Sequence, residues 1–194
     1  GELKDIYYRL IGSPADVVAD FDLDFFHLCN QYRIACFGTW HNNGHALLEP
    51  GIDLPIDRFP GPDSKVDINS MLVVFTNSSA NHWGPRGHYN LGLEWATGPY
   101  YLDTENAVLV PLRYRPKFNI GGGIPDQPQS VTVDVTIRRI KSLVTTPGTQ
   151  LNWQFGNQSG QVTTSINGEV TITGLNILGS ELYTGLTITK AAGT

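Results

Sequence analysis

Several things are scarce in this 194-residue chain, and each scarcity removes a class of explanation. Cysteine occurs twice, as Cys29 and Cys36. A lone pair is not the disulfide framework of a small secreted domain, and without a C-x-x-C there is no thiolate zinc site or redox dithiol. Seven residues apart, the two could bridge a hairpin; buried free thiols are the simpler expectation. No apolar run approaches the roughly 18 residues a membrane helix needs, so no membrane insertion is expected. The chain opens at Gly1 rather than Met and lacks a basic segment followed by an apolar stretch. A signal peptide is therefore expected to be absent or already removed.

Clustered positive charge is also missing. The net charge is −5, with 15 acidic and 9 basic residues through Gln129 and 3 acidic and 4 basic beyond it. Phosphate backbones are neutralised by grouped cations, so no nucleic-acid partner is expected. The nearest groups, Arg113/Arg115/Lys117 and Arg138/Arg139/Lys141, read as solvated or cross-strand charges.

Catalytic signatures are absent as well. There is no G-x-S-x-G, no phosphate-cradling loop ending in Lys and no dinucleotide fingerprint, and the Gly121–Gly123 run lacks a helix start behind it. Asp20, Asp22 and Asp24 lack the turn glycine and closing glutamate of a calcium loop. Asp53, Asp57, Asp63 and Asp67 read as solvated acids of a loop. His41 and His45 are four apart but separated by Asn42-Asn43-Gly44, a poor helix segment, and no glutamate follows His41 as in zincins. His82 and His88 are six apart. Four imidazoles would meet if both loops sat at one end of a sandwich, yet spacing alone does not make a site. No catalytic residues, no metal and no cofactor are expected. The sequons at Asn77 and Asn157 are no more than chance supplies.

What is present is β-patterning. Residues 3–11 are strand-like, and Ser13-Pro14-Ala15-Asp16 resembles a helix start with Ser as N-cap and Pro at the first helical position. Val17, Phe21, Phe25 and Leu28 fit a helical stripe, but within 17–26 Phe21, Leu23 and Phe25 alternating with aspartates fit a strand, the preferred reading. Residues 31–39 read as a strand and His41–His45 as a turn. A stretch rich in proline (Pro50, Pro55, Pro60, Pro62) marks a long loop over 49–64. Met71–Thr76 has the pattern of a central strand covered on both faces. Tyr89–Trp95 alternates, and Val108–Tyr114 is strand-like. Residues 121–128 form a linker or long turn. Beyond it, Val131–Ile137 and Leu151–Phe155 alternate, with Trp153 expected in the core, and Asn167-Gly168 signals a two-residue type I′ hairpin.

Short strands at close spacing with little helical periodicity predict an all-β protein: an antiparallel β-sandwich, jelly-roll or immunoglobulin-like. Residues 1–120 are expected to form a loop-rich sandwich. Residues 130–194 form either a small immunoglobulin-like β module or the second half of that sandwich. The Val/Thr-rich end (SVTVDVTIRRI, NGEVTITGLNI) resembles immunoglobulin-like modules in composition.

All five histidines and three of the four tryptophans fall before residue 100, so recognition chemistry is expected upstream. Two loops pair an indole with imidazole and amide groups: Trp40, His41, Asn43 and His45 in one, and Asn81, His82, Trp83, Arg86 and His88 in the other. Sugar rings offer apolar C–H faces and many hydroxyls, which flat aromatics beside fixed donors and acceptors suit. The expectation is a non-enzymatic extracellular or virion-surface protein, a capsid, spike or tail component. It would act in a homo-oligomer or larger assembly and attach to a host-surface glycan or protein receptor. A carbohydrate-active enzyme and a purely structural assembly module are the alternatives.

Overall fold

A computed structural model describes residues 7–12, 19–40, 71–83, 87–96, 100–116, 127–143 and 146–191. These residues are mostly β, with antiparallel sheets packed together and a single helix among them. In chain order they form β1 (Tyr7–Gly12), α1 (Ala19–Tyr32), β2 (Ala35–Trp40), β3 (Leu72–Thr76), β4 (His88–Tyr89), β5 (Leu93–Trp95) and β6 (Leu102–Asp103). They continue with β7 (Ala107–Tyr114), β8 (Ser130–Arg138), β9 (Gln150–Phe155), β10 (Gln158–Thr163), β11 (Val170–Leu178) and β12 (Thr184–Lys190).

Two sheets make the sandwich. One runs β10-β9-β12-β7-β5, with β6 also on β7; the other runs β11-β8-β3. Alternation drives both. In β8, Val131, Val133, Val135 and Ile137 are buried, and in β7 Val108, Val110, Leu112 and Tyr114 are buried, each set pointing to one face of its strand. These side chains meet Leu151, Phe155, Leu186 and Ile188 in one core that also takes Phe75 and Trp95. β3 pairs with β8, and β7 pairs with β12, so strands before and after residue 121 interleave around that core. Trp153, expected in the core, is half-buried at its margin, lying over Gly160, where an added Cβ would approach the indole to 3.0 Å.

A third sheet, β1-β2-β4, departs from the antiparallel expectation. β1 and β2 run parallel on either side of α1, a β-α-β unit. Residues 19–26, part of the segment 17–26 read as strand from its Asp/Phe alternation, belong to a helix that runs over 19–32. Phe26 and Cys29 are buried three apart with Leu23 and Asn30 half-buried beside them, whereas Leu28 of the alternative stripe is 47% exposed. Packing of that face decided against the period-2 pattern. The helix also takes residues 31 and 32 from the strand expected over 31–39. It ends with Arg33 at φ 53° and Ile34 N–H donating to Cys29 O at 2.9 Å, the six-to-one bond of a Schellman cap.

Three further expectations change. Tyr89–Trp95 is two strands, β4 and β5, broken by a turn with Asn90 at φ 56° and Gly92 at φ 84°. β3 is buried on both faces as expected but is the last strand of its sheet, not a central one. Its neighbour beyond is β2, and the gap is spanned by a side chain: Asn90 Nδ2 donates to Cys36 O at 3.0 Å and Phe75 O at 2.8 Å. At Asn167-Gly168 the loop is longer than a type I′ pair. Gly168 N–H donates to Ser165 O and Ser165 N–H to Glu169 O, both at 2.9 Å, with Gly168 alone at positive φ. This is the three-residue form with glycine in the left-handed position, and the strands it links, β10 and β11, lie in different sheets. The tight two-residue hairpin is instead Gly156-Asn157 between β9 and β10, with Gly156 at φ 56°. The expected helix start at Ser13–Asp16, the turn at 41–45, the loop at 49–64 and residues 121–126 of the linker expected over 121–128 lie outside the described residues.

Candidate functional site

The short strand β4 pairs with the end of β2 (Thr39 opposite His88, Gly38 opposite Tyr89) and bridges back to His82. Tyr89 is the foundation. It is fully buried, stacks on Phe26 of α1 with ring centroids 5.4 Å apart, and donates its hydroxyl to Asn30 Oδ1 at 3.2 Å. With Cys29 and Cys36 these rings make a second, smaller core beneath the helix. Both thiols are free and buried; their mutual hydrogen bond, together with burial, pushes the Cys36 thiol well above its ordinary value.

On that foundation sits Trp83. Its ring lies 5.7 Å from Tyr89 at 50°, and the His27 imidazole of α1 stacks with it, parallel within 13° at 4.2 Å. The indole remains 37% exposed and His27 is exposed, so a rigid, flat aromatic pair faces solvent. Beside it, His82 and His88 exchange backbone hydrogen bonds at 3.0 and 2.9 Å, and their rings lie 6.2 Å apart. His88 is 1% exposed. Burial first, and the neighbouring His82 second, lower its pKa to about 4, so it is neutral at pH 7. Gln127 Nε2 lies 2.9 Å from His88 Nε2.

The loop 77–83 is pinned from several sides. Asn77, at φ 54°, exchanges two hydrogen bonds with the Asn30 side chain at 2.6 and 2.7 Å and donates from Nδ2 to Asp134 Oδ2 at 2.7 Å. Asp134 Oδ1 in turn accepts from Gly174 N–H at the β11 bulge. Ser79 N–H donates to Thr132 O, and Thr132 N–H to Ser79 Oγ, each at 2.9 Å. Asn81 Oδ1 accepts from Asn90 N–H at 2.7 Å. Helix, loop and sandwich are thus tied through amide side chains, which hold Trp83 on fixed elements.

Of the residues picked from sequence, Asn81, His82, Trp83 and His88 come together here. Trp40 ends β2, its backbone one position beyond the partner of His88. His41, Asn43, His45 and Arg86 lie outside the described residues. Sequence reasoning missed His27 and Gln127. The first lies just past the strand reading of 17–26, where no element was assigned; as a helix, 27 falls one residue past buried Phe26, at the rim of the packed face. No local signal marks Gln127, which is 39 residues from His88.

A second polar centre has a structural role. Buried Glu94 of β5 is held by Arg113, from Nε at 2.7 Å and Nη2 at 2.6 Å, and by Arg115 from Nε at 2.7 Å and from Nη2. Arg113 also lies over the Tyr183 ring at 4.3 Å and donates from Nη1 to Glu181 O. These are cross-strand charges, as expected for Arg113 and Arg115, and Arg138 of β8 is likewise paired across strands, buried on Glu169 at 2.8 Å. Among the described residues no helix is long and apolar enough to cross a membrane. Compared with family models, curated proteins and solved structures, the chain matches none of them.

Proposed function

We propose that this β-sandwich is a non-enzymatic recognition module of an extracellular or virion surface. It would belong to a capsid, spike or tail component and bind host-surface glycan through the face around Trp83. The observation that carries the reading is the exposed indole stacked on His27 and backed by buried Tyr89. A sugar ring lays its C–H face on such a plane, and the Asn81 and His82 side chains beside it supply fixed polar partners for hydroxyls. Surface attachment is commonly strengthened by repetition, and a homo-oligomer would multiply a weak single-site affinity.

The test is a glycan array followed by calorimetry on the best sugar, with Trp83→Ala and Trp95→Ala made in parallel. Trp83→Ala is expected to abolish binding while costing about 1–2 kcal/mol, because it removes two ring contacts at a part-exposed site. Trp95, buried in the main core, should cost roughly 3–5 kcal/mol. Sugar bound without turnover supports the proposal. Turnover of the bound glycan would assign an enzyme instead, and no binding at all would leave the structural assembly role in its place.

A further inference from the structure

His82 and His88 carry an inference that does not depend on sugar binding. They are direct partners across an antiparallel bridge in which each backbone N–H donates to the other's carbonyl. Residues so paired project their side chains to the same face with Cα atoms about 5.5 Å apart. The two rings are neighbours, 6.2 Å between centroids and 28° from parallel. Both Nδ1 atoms are buried, and neither has a hydrogen-bond partner. Two orphaned imidazole nitrogens on neighbouring rings are unusual in a folded protein, where buried polar atoms are completed by protein, water or an ion.

We propose that His82 and His88 form a transition-metal site, taking Zn²⁺ or a similar borderline divalent ion through their Nδ1 atoms, with water in the remaining positions. Imidazole suits Zn²⁺, Cu²⁺ and Ni²⁺. Gln127 supplies the outer partner. An amide can present oxygen or nitrogen at its position 2.9 Å from Nε2; with Oε1 inward it accepts from Nε2–H, which fixes the tautomer and leaves the Nδ1 lone pair for the metal. Among the described residues no third His, Cys, Asp or Glu joins the pair.

Chelator-stripped protein is titrated with Zn²⁺ by calorimetry, and Cu²⁺ quenching of tryptophan fluorescence is followed, since Trp83 adjoins His82. One ion per chain and saturable quenching are expected. His82→Gln should lose both while keeping the far-UV circular dichroism and unfolding midpoint of the metal-free parent, and His41→Gln/His45→Gln should keep both. Independently of any variant, Zn²⁺ should shift the His82 and His88 imidazole resonances in the NMR spectrum of the unaltered chain. Absence of saturable binding overturns the proposal. So does binding that survives His82→Gln, binding that disappears with His41→Gln/His45→Gln, or imidazole resonances that do not move.

Discussion

Replacing Asn90 tests how the β-α-β unit is fastened to the sandwich. The side chain is buried at a φ of 56°, and its Nδ2 supplies donors to Cys36 O of β2 and Phe75 O of β3. Removing it leaves two carbonyls without that donor, each worth roughly 1–3 kcal/mol when buried, less whatever water entering the space restores. Asn90→Gly should therefore cost about 2–4 kcal/mol. Asn90→Ala should cost about 1 kcal/mol more, because a Cβ other than that of Asn or Asp is disfavoured in the left-handed region. Asn90→Asp keeps the shape but sets carboxylate oxygens against carbonyl oxygens in a buried place, and should be the worst of the three at pH 7. Urea unfolding at pH 7, with slopes checked for constancy, reads all three. If Asn90→Gly stays within about 0.5 kcal/mol of the parent, the amide does not hold β2 to β3. If Asn90→Asp is no worse than Asn90→Ala, donation to those carbonyls is not what the site requires.

Three other outcomes follow from the same physics. Arg33→Gly should stabilise the protein by ~1 kcal/mol, since an exposed arginine occupies the left-handed cap of α1 that glycine adopts without a Cβ penalty; an unchanged urea midpoint would count against this. Glu94→Gln, which leaves two guanidiniums facing a neutral amide, should cost roughly 2–4 kcal/mol, and a loss below ~1 kcal/mol would mean that the cluster behaves as a surface pair. In chelator, the depressed pKa of His88 means the unfolded chain takes up the proton first. Its contribution is then present above about pH 6.5 and lost as pH falls toward about 4, near 1 kcal/mol per pH unit. Urea unfolding that is flat between pH 6.5 and 5 would refute it.

The sequence by itself determined the strands whose alternation commits one face to the core. β7, β8 and β9 stand where aliphatic or aromatic residues recur at every second position, because a one-residue slip would turn those side chains to solvent. It also determined that polar and aromatic residues recur over Asn81–His88, and the left-handed glycine of the 165–169 turn. Tertiary structure decided the rest. Asp/Phe alternation over 20–25 suits a strand until Phe26 and Cys29 find Tyr89 and β2 to pack against, and then the helix buries more. The order β11-β8-β3 and the parallel β1-β2 pair join segments more than twenty residues apart in the chain, which no local period encodes. The stacking of His27 on Trp83 and the approach of Gln127 to His88 are likewise encounters between distant segments. Local residue spacing sets which groups a strand or loop presents; only the closed sandwich sets which of them meet.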